Sequence, residues 1–173
     1  MSAYILLLDT SGSMYGEAGE KILGLNCAVS NFVDGLKTIA PEPQLAIVTF
    51  GGPPSVQDFI PAGLVSLKTY EAKGSGYFDD ALEIAASLSG SADVVAIVLM
   101  SDGALPFYDY SKIPEGYPLY AVAIGIDADY DQLERFTDNP DTVLPPYAAN
   151  DLAGFALTRN HVSVDFSKFH QKE

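Results

Sequence analysis

The apolar positions of this chain fall into short uninterrupted runs that alternate with runs of helical spacing. Tyr4 to Leu8 is continuously apolar, which predicts a strand buried on both faces of a parallel sheet. Leu25, Val29, Phe32, Leu36 and Ile39 then recur at spacings of 4, 3, 4 and 3. That spacing puts them on one face of a helix, which Pro41 and Pro43 stop. Gln44 to Phe50 repeats the buried-strand pattern. Gly51-Gly52-Pro53-Pro54 makes a turn, and Ser55 to Ile60 alternates as a short edge strand returning antiparallel. Lys68 to Gly76 reads as a loop. A second helix is expected from Tyr77 to Leu88, with Asp79 and Asp80 in its first turn, where the macrodipole favours acids. Asp93 to Met100 is the most hydrophobic run and predicts a central strand that ends in Ser101-Asp102-Gly103.

Ala104 to Pro118 is rich in proline and tyrosine and predicts no long helix. Leu119 to Ile126 reads as another buried strand, Asp131 to Phe136 as a short helix, and Thr142 to Leu144 as a last edge strand. A final helix is expected from Asn150, a residue suited to an N-cap, to Phe169, with Phe155, Val162, Phe166 and Phe169 on one face. Strands that alternate with helices, and strands without polar alternation, mean an α/β fold. The expectation is a doubly wound, mostly parallel six-stranded sheet with one antiparallel edge strand and helices on both faces. Nothing in the composition marks a second domain, so residues 1–173 read as one.

Charge narrows the partners. Nine basic against 23 acidic residues give a net charge of −14, which argues against nucleic acid or an anionic membrane surface. Cys27 is the only cysteine, so an internal disulfide and a cysteine-based zinc site are excluded; its expected role is a small buried hydrophobe. The apolar run that begins at Tyr4 is cut short by Asp9 and has no basic flank, so the chain reads as cytoplasmic.

The candidate chemistry lies at two strand ends. Asp9-Thr10-Ser11-Gly12-Ser13 follows the first strand and delivers one carboxylate and two hydroxyls into a loop. Oxygen ligands of this kind suit a hard divalent cation, and the crevice beyond the carboxyl ends of parallel strands is where ligands sit. Taken alone, the motif is equally a turn followed by a serine N-cap. A second buried strand, however, ends in Ser101-Asp102-Gly103, and in a doubly wound sheet the two strands are neighbours. Both carboxylates then reach one crevice.

With the Ile47-Val48-Thr49-Phe50 strand and the glycine-rich loop before Asp80-Ala81-Leu82, these motifs resemble the von Willebrand factor A (vWA) domain over the whole chain. A stand-alone domain of this size is most similar to the bacterial TerY-type proteins linked to tellurium resistance and stress operons. The resemblance implies a metal-ion-dependent adhesion site in which Ser11 and Ser13 bind the ion through their hydroxyls, and Asp9 and Asp102 bind directly or through water. The family's loop threonine would fall at Gly76, which has no side-chain oxygen; Ser75 stands beside it as the substitute. Magnesium is the implied ion, with manganese or calcium as alternatives, because magnesium commonly keeps several waters. The partner implied is a protein that offers an acidic side chain to the ion.

Two other classes compete with this binding module. A vWA scaffold without metal is one. A metal-dependent hydrolase is the other, but phosphatases with an aspartate nucleophile read D-x-D, and Ser11 occupies the second acid position. His161 and His170 fall on the predicted last helix as surface residues, and no nucleophile–base pair is evident, so the chain is not expected to be an enzyme. Tyr15, Tyr77, Tyr108 and Tyr110 fall in loops at the carboxyl ends of strands, either as an exposed rim for the partner or as rings capping the core.

Overall fold

The computed structural model describes residues 1–152. Six strands form one sheet in the order β3-β2-β1-β4-β5-β6: β1 Ser2–Asp9, β2 Gln44–Phe50, β3 Ser55–Pro61, β4 Asp93–Ser101, β5 Leu119–Ala123 and β6 Val143–Leu144. All neighbours pair parallel except β2 and β3, which run antiparallel across the Gly51–Pro54 turn. The chain therefore winds outward from β1 in one direction and from β4 in the other. The crevice between those two strands is the topological switch point.

Burial explains the unbroken apolar runs. Tyr4, Leu6 and Leu8 point to one face of the sheet and Ala3, Ile5 and Leu7 to the other, and all six are fully buried. Helix α1, Glu20–Lys37, covers the first face with Leu25, Val29, Phe32 and Leu36. Helix α2, Phe78–Ser89, and helix α3, Tyr130–Thr137, cover the second with Ala81, Leu82, Ala85, Leu133 and Phe136. Asp79 and Asp80 occupy the first turn of α2, as the sequence predicts.

The second core is centred on Phe78. Its ring lies 4.8 Å from both Phe50 and Tyr108 and 6.1 Å from Phe136, so one side chain ties β2, α2, α3 and the loop after β4 together.

Three expectations are corrected and one open alternative is decided. Cys27 is exposed, because on α1 it lies off the Leu25–Val29–Phe32 stripe that faces the sheet. β5 ends at Ala123 and not at Ile126: Ile124 still donates to the Ser101 carbonyl, but Gly125 then takes φ 98°, and Ile126 is fully solvent-exposed. Of the two readings left open for the loop tyrosines, Tyr108 takes the core-capping one, buried against Phe78. Helical geometry is already present at Ala149, so Asn150 lies inside that turn and does not cap it. The remainder of the predicted last helix, with Phe155, His161, Val162, Phe166, Phe169 and His170, lies outside the described residues.

Replacing Phe78 by alanine removes the ring shared by four elements. A loss of about 3–5 kcal/mol in urea unfolding is expected, against less than about 1.5 kcal/mol for Phe78→Leu.

Candidate functional site at the ends of β1 and β4

Register positions the first carboxylate. Leu8 pairs with Met100, so Asp9 stands level with Ser101 where both strands end. Asp9 is 1% exposed. Its Oδ1 accepts the Ser11 N–H at 2.9 Å, and its Oδ2 accepts the Ser101 hydroxyl at 2.6 Å. Ser101 Oγ in turn accepts the Gly103 N–H at 3.0 Å, which fixes the hydroxyl proton on Asp9. Burial pushes the Asp9 carboxyl above the ordinary carboxylate range. The hydrogen bonds from Ser101 and Ser11 oppose the rise, the nearby charge of Asp102 adds to it, and the net direction is upward.

The second group of oxygens continues from the first. Ser11 Oγ and Ser13 Oγ are 3.1 Å apart, and Ser13 Oγ donates to Asp102 Oδ1 at 3.4 Å. That same Asp102 oxygen accepts the Ala104 N–H at 3.0 Å. The other oxygen, Oδ2, receives the Lys21 ammonium at 3.1 Å, and Lys21 also reaches Asp127 at 3.0 Å. Burial works against the Lys21 ammonium, but the two carboxylates outweigh it and hold its pKa above the ordinary lysine value.

Loops enclose this cluster by main-chain contacts. Thr10 donates its N–H to the Phe50 carbonyl, Gly12 to the Gly74 carbonyl, and Lys73 to the Thr10 carbonyl, at 2.8–2.9 Å. Gly74 is required sterically: φ is +79°, and a Cβ there would collide with the Gly51 carbonyl oxygen. Gly76 has open space around it but also a left-handed φ of +82°, followed by Tyr77 at +66°. The backbone thus explains why glycine stands where a threonine is expected, since a β-branched residue strains at positive φ. Asn26 on α1 pins the same loop farther back, accepting the Tyr70 N–H at 2.8 Å and donating to the Tyr70 carbonyl at 3.1 Å.

The result is a cleft of about 260 Å³ lined by Asp9, Ser11, Ser13, Ser75, Pro106 and their loop neighbours. Four of the five predicted ligands, Asp9, Ser11, Ser13 and Ser75, line it, and the fifth, Asp102, stands behind Ser13. An adjoining recess holds Tyr77 and Phe107, and Phe107 is 97% exposed. Tyr15 and Tyr110 are exposed as well, so three of the four rim tyrosines remain on the surface.

The donor set fits a small divalent cation. Adjacent ligands of an octahedral magnesium with bonds near 2.1 Å are about 3 Å apart. The Ser11–Ser13 separation of 3.1 Å matches that edge, and every side-chain donor is an oxygen. Only two of the five are carboxylates, and among the described residues no group of three or more His, Cys, Asp or Glu side chains is placed to hold a metal. A cation here would rest mainly on hydroxyls and water.

No protein-family model matches the sequence, and no curated protein matches it. Solved structures do match in shape. The vWA domain protein from Catenulispora acidiphila aligns with a TM-score of 0.64 at 16% identity, over 90% of this chain and 42% of its own. The fold is that of a vWA domain. The ArnB paralog VWA2 from Sulfolobus acidocaldarius gives 0.63 at 19% identity over 86% of this chain and 43% of its own. The pilus adhesin SpaC from Lactobacillus rhamnosus GG gives 0.68 at 12% identity, over 91% of this chain and 30% of its own. This vWA-fold chain therefore spans less than half the length of these three proteins.

Sequence reasoning missed three residues that shape the site. Ser101 stood in the Ser-Asp-Gly turn as a spacer but is the hydroxyl that holds Asp9. Lys21 carried a readable signal: it is a cation in the first turn of an 18-residue helix, the end that disfavours cations. Phe107 was hidden in a segment treated only as irregular.

Two outcomes follow for the metal-free protein. Because the folded pKa of Asp9 lies above its unfolded value, the folded state binds the extra proton, and stability falls as pH rises from the unfolded value to the folded one. Asp9→Asn should remove that fall and leave the domain at neutral pH at least as stable as the wild type, measured by urea denaturation at several pH values. At the loop, Gly76→Ala should cost about 1–2 kcal/mol from positive φ alone. Gly74→Ala should cost clearly more, since the Gly51 backbone must also move.

Proposed function

We propose that the domain is a non-catalytic protein-interaction module in which Asp9, Ser11, Ser13 and Asp102 hold a divalent cation, magnesium first, that receives a carboxylate from a protein partner. The observation that carries this reading is the run of oxygens Ser11–Ser13–Asp102, spaced 3.1 and 3.4 Å, which leads from an open cleft lined by Asp9, Ser11 and Ser13 to the Asp102 carboxylate behind it. Ser75, which also lines the cleft, is the further hydroxyl proposed, and water supplies the other positions. Because hydroxyl ligands are neutral, the bound ion retains positive charge and attracts a further anion.

Two surface features support a protein partner, the first of them an acidic one. Lys68 and Lys73, which take part in no ion pair among the described residues, line a recess that also contains Thr10, next to the cleft. Phe107 and Tyr77 offer exposed rings on the other side, the residue types favoured at interfaces. One protein of similar fold is a pilus adhesin, in keeping with a binding role. On the TerY-type resemblance alone, we place the module in a bacterial stress or tellurium-resistance system.

The Lys21–Asp102 ion pair favours a second reading, a vWA scaffold that works without metal, because an ammonium already serves Asp102. Calorimetric titration of magnesium and manganese into the wild type and Asp9→Ala separates the two. Binding by the wild type that is lost in Asp9→Ala is the expected result. Absence of binding at millimolar ion, or equal heats in both proteins, would overturn the metal-dependent reading. Once a partner is in hand, Phe107→Ala should weaken its capture without changing the melting temperature, since the ring is 97% exposed.

A further inference from the structure

Lys21 stands out as the charged side chain the vWA-type site does not need. It projects from the first turn of α1, where the macrodipole opposes a cation, yet its side chain is only 11% exposed. The Asp102 carboxylate it meets is 2% exposed, whereas Asp127, its other partner, is 66% exposed. Asp102 Oδ1 already serves Ser13 and the Ala104 N–H, so Lys21 has the remaining oxygen. One ammonium thus bridges a buried carboxylate in the candidate ligand set and a solvated one outside it.

We propose that Lys21 is a tethered stand-in for the cation: its ammonium neutralises Asp102 while the cleft is empty and withdraws to Asp127 when the cleft is loaded. This rests on the metal-dependent reading above. The physical reason is charge balance. Asp9 and Asp102 are two buried acids in one site, and without a counter-ion Asp102 would be a buried carboxylate lacking a positive partner. Lys21 supplies that partner and keeps the ligand set assembled. The same ammonium repels a dication, so loading the site requires an exchange, and the affinity is lower than the oxygen set alone would give. Asp127 makes the exchange feasible by keeping the released ammonium paired at the surface.

The test compares wild type with Lys21→Met, Lys21→Gln and Asp127→Asn by calorimetric titration of manganese and magnesium, with melting curves at each ion concentration. Lys21→Met is expected to melt lower than the wild type without ion, to bind manganese on the order of tenfold more tightly or better, and to recover its melting temperature when loaded. Lys21→Gln keeps a hydrogen-bond donor for Asp102 and should show the same tightening even if the methionine variant folds poorly. Asp127→Asn should bind more weakly than the wild type. In wild-type protein the Lys21 side-chain NMR resonances should shift as magnesium is added. Ion binding by the wild type with unmoved Lys21 resonances, or with affinity unchanged or weaker in both lysine variants, overturns the inference and leaves the metal-dependent reading standing. Binding by the lysine variants but not by the wild type means that the ammonium never yields Asp102 to the ion, and overturns the inference together with the metal-dependent reading of the wild-type protein. Failure of all proteins to bind removes both.

Discussion

The parallel pairing of β1 with β4 is the constraint on which the rest depends. It buries Tyr4 to Leu8 on both faces of the sheet and brings Asp9 level with Ser101, one residue before Asp102. A slip of one residue would turn the hydrophobic set to the wrong face and separate Asp9 from the hydroxyl that holds it. Core and site are therefore specified by one register. The helices follow from it, since each face of a sheet buried in this way must be covered, by α1 on one side and by α2 and α3 on the other.

Electrostatically the site is a compromise. An acid with 1% exposure is stabilised by one hydroxyl and one amide, a second acid by a hydroxyl, an amide and an ammonium, and the charge of the second still opposes that of the first. Such an arrangement stores a bias toward positive charge in the cleft, while the remainder of a chain of net charge −14 repels anions.

Most of the architecture was legible because each strand announces itself by period and each turn by glycine or proline. β1, β2, β4 and the Gly-Gly-Pro-Pro hairpin could be placed from pattern alone, and the neighbour relation of β1 and β4 followed from fold class. The ligand candidates were legible for the same reason, since they sit where runs end. What the pattern could not show is side-chain direction over a distance. Cys27 turned out on the surface, and Tyr108 could not be assigned between rim and core, because a helical face and a proline-rich loop do not reveal their rotation. The Lys21–Asp102 pair joins residues 81 positions apart, and no local period records such a contact. Gly76 was visible as a departure, but its left-handed backbone was not.

The walls of the cleft are tied by main-chain groups: Thr10 to Phe50, Gly12 to Gly74, Lys73 to Thr10. Side chains at Thr10, Lys73 and Pro106 can therefore change while the frame that presents Asp9 and the two serines persists, provided Gly51 and Gly74 keep their close approach. The residues facing the recesses and the scaffold are thus separable in this domain. On the binding role proposed above, its preference can drift, by exchange of the residues facing the recesses, faster than its fold.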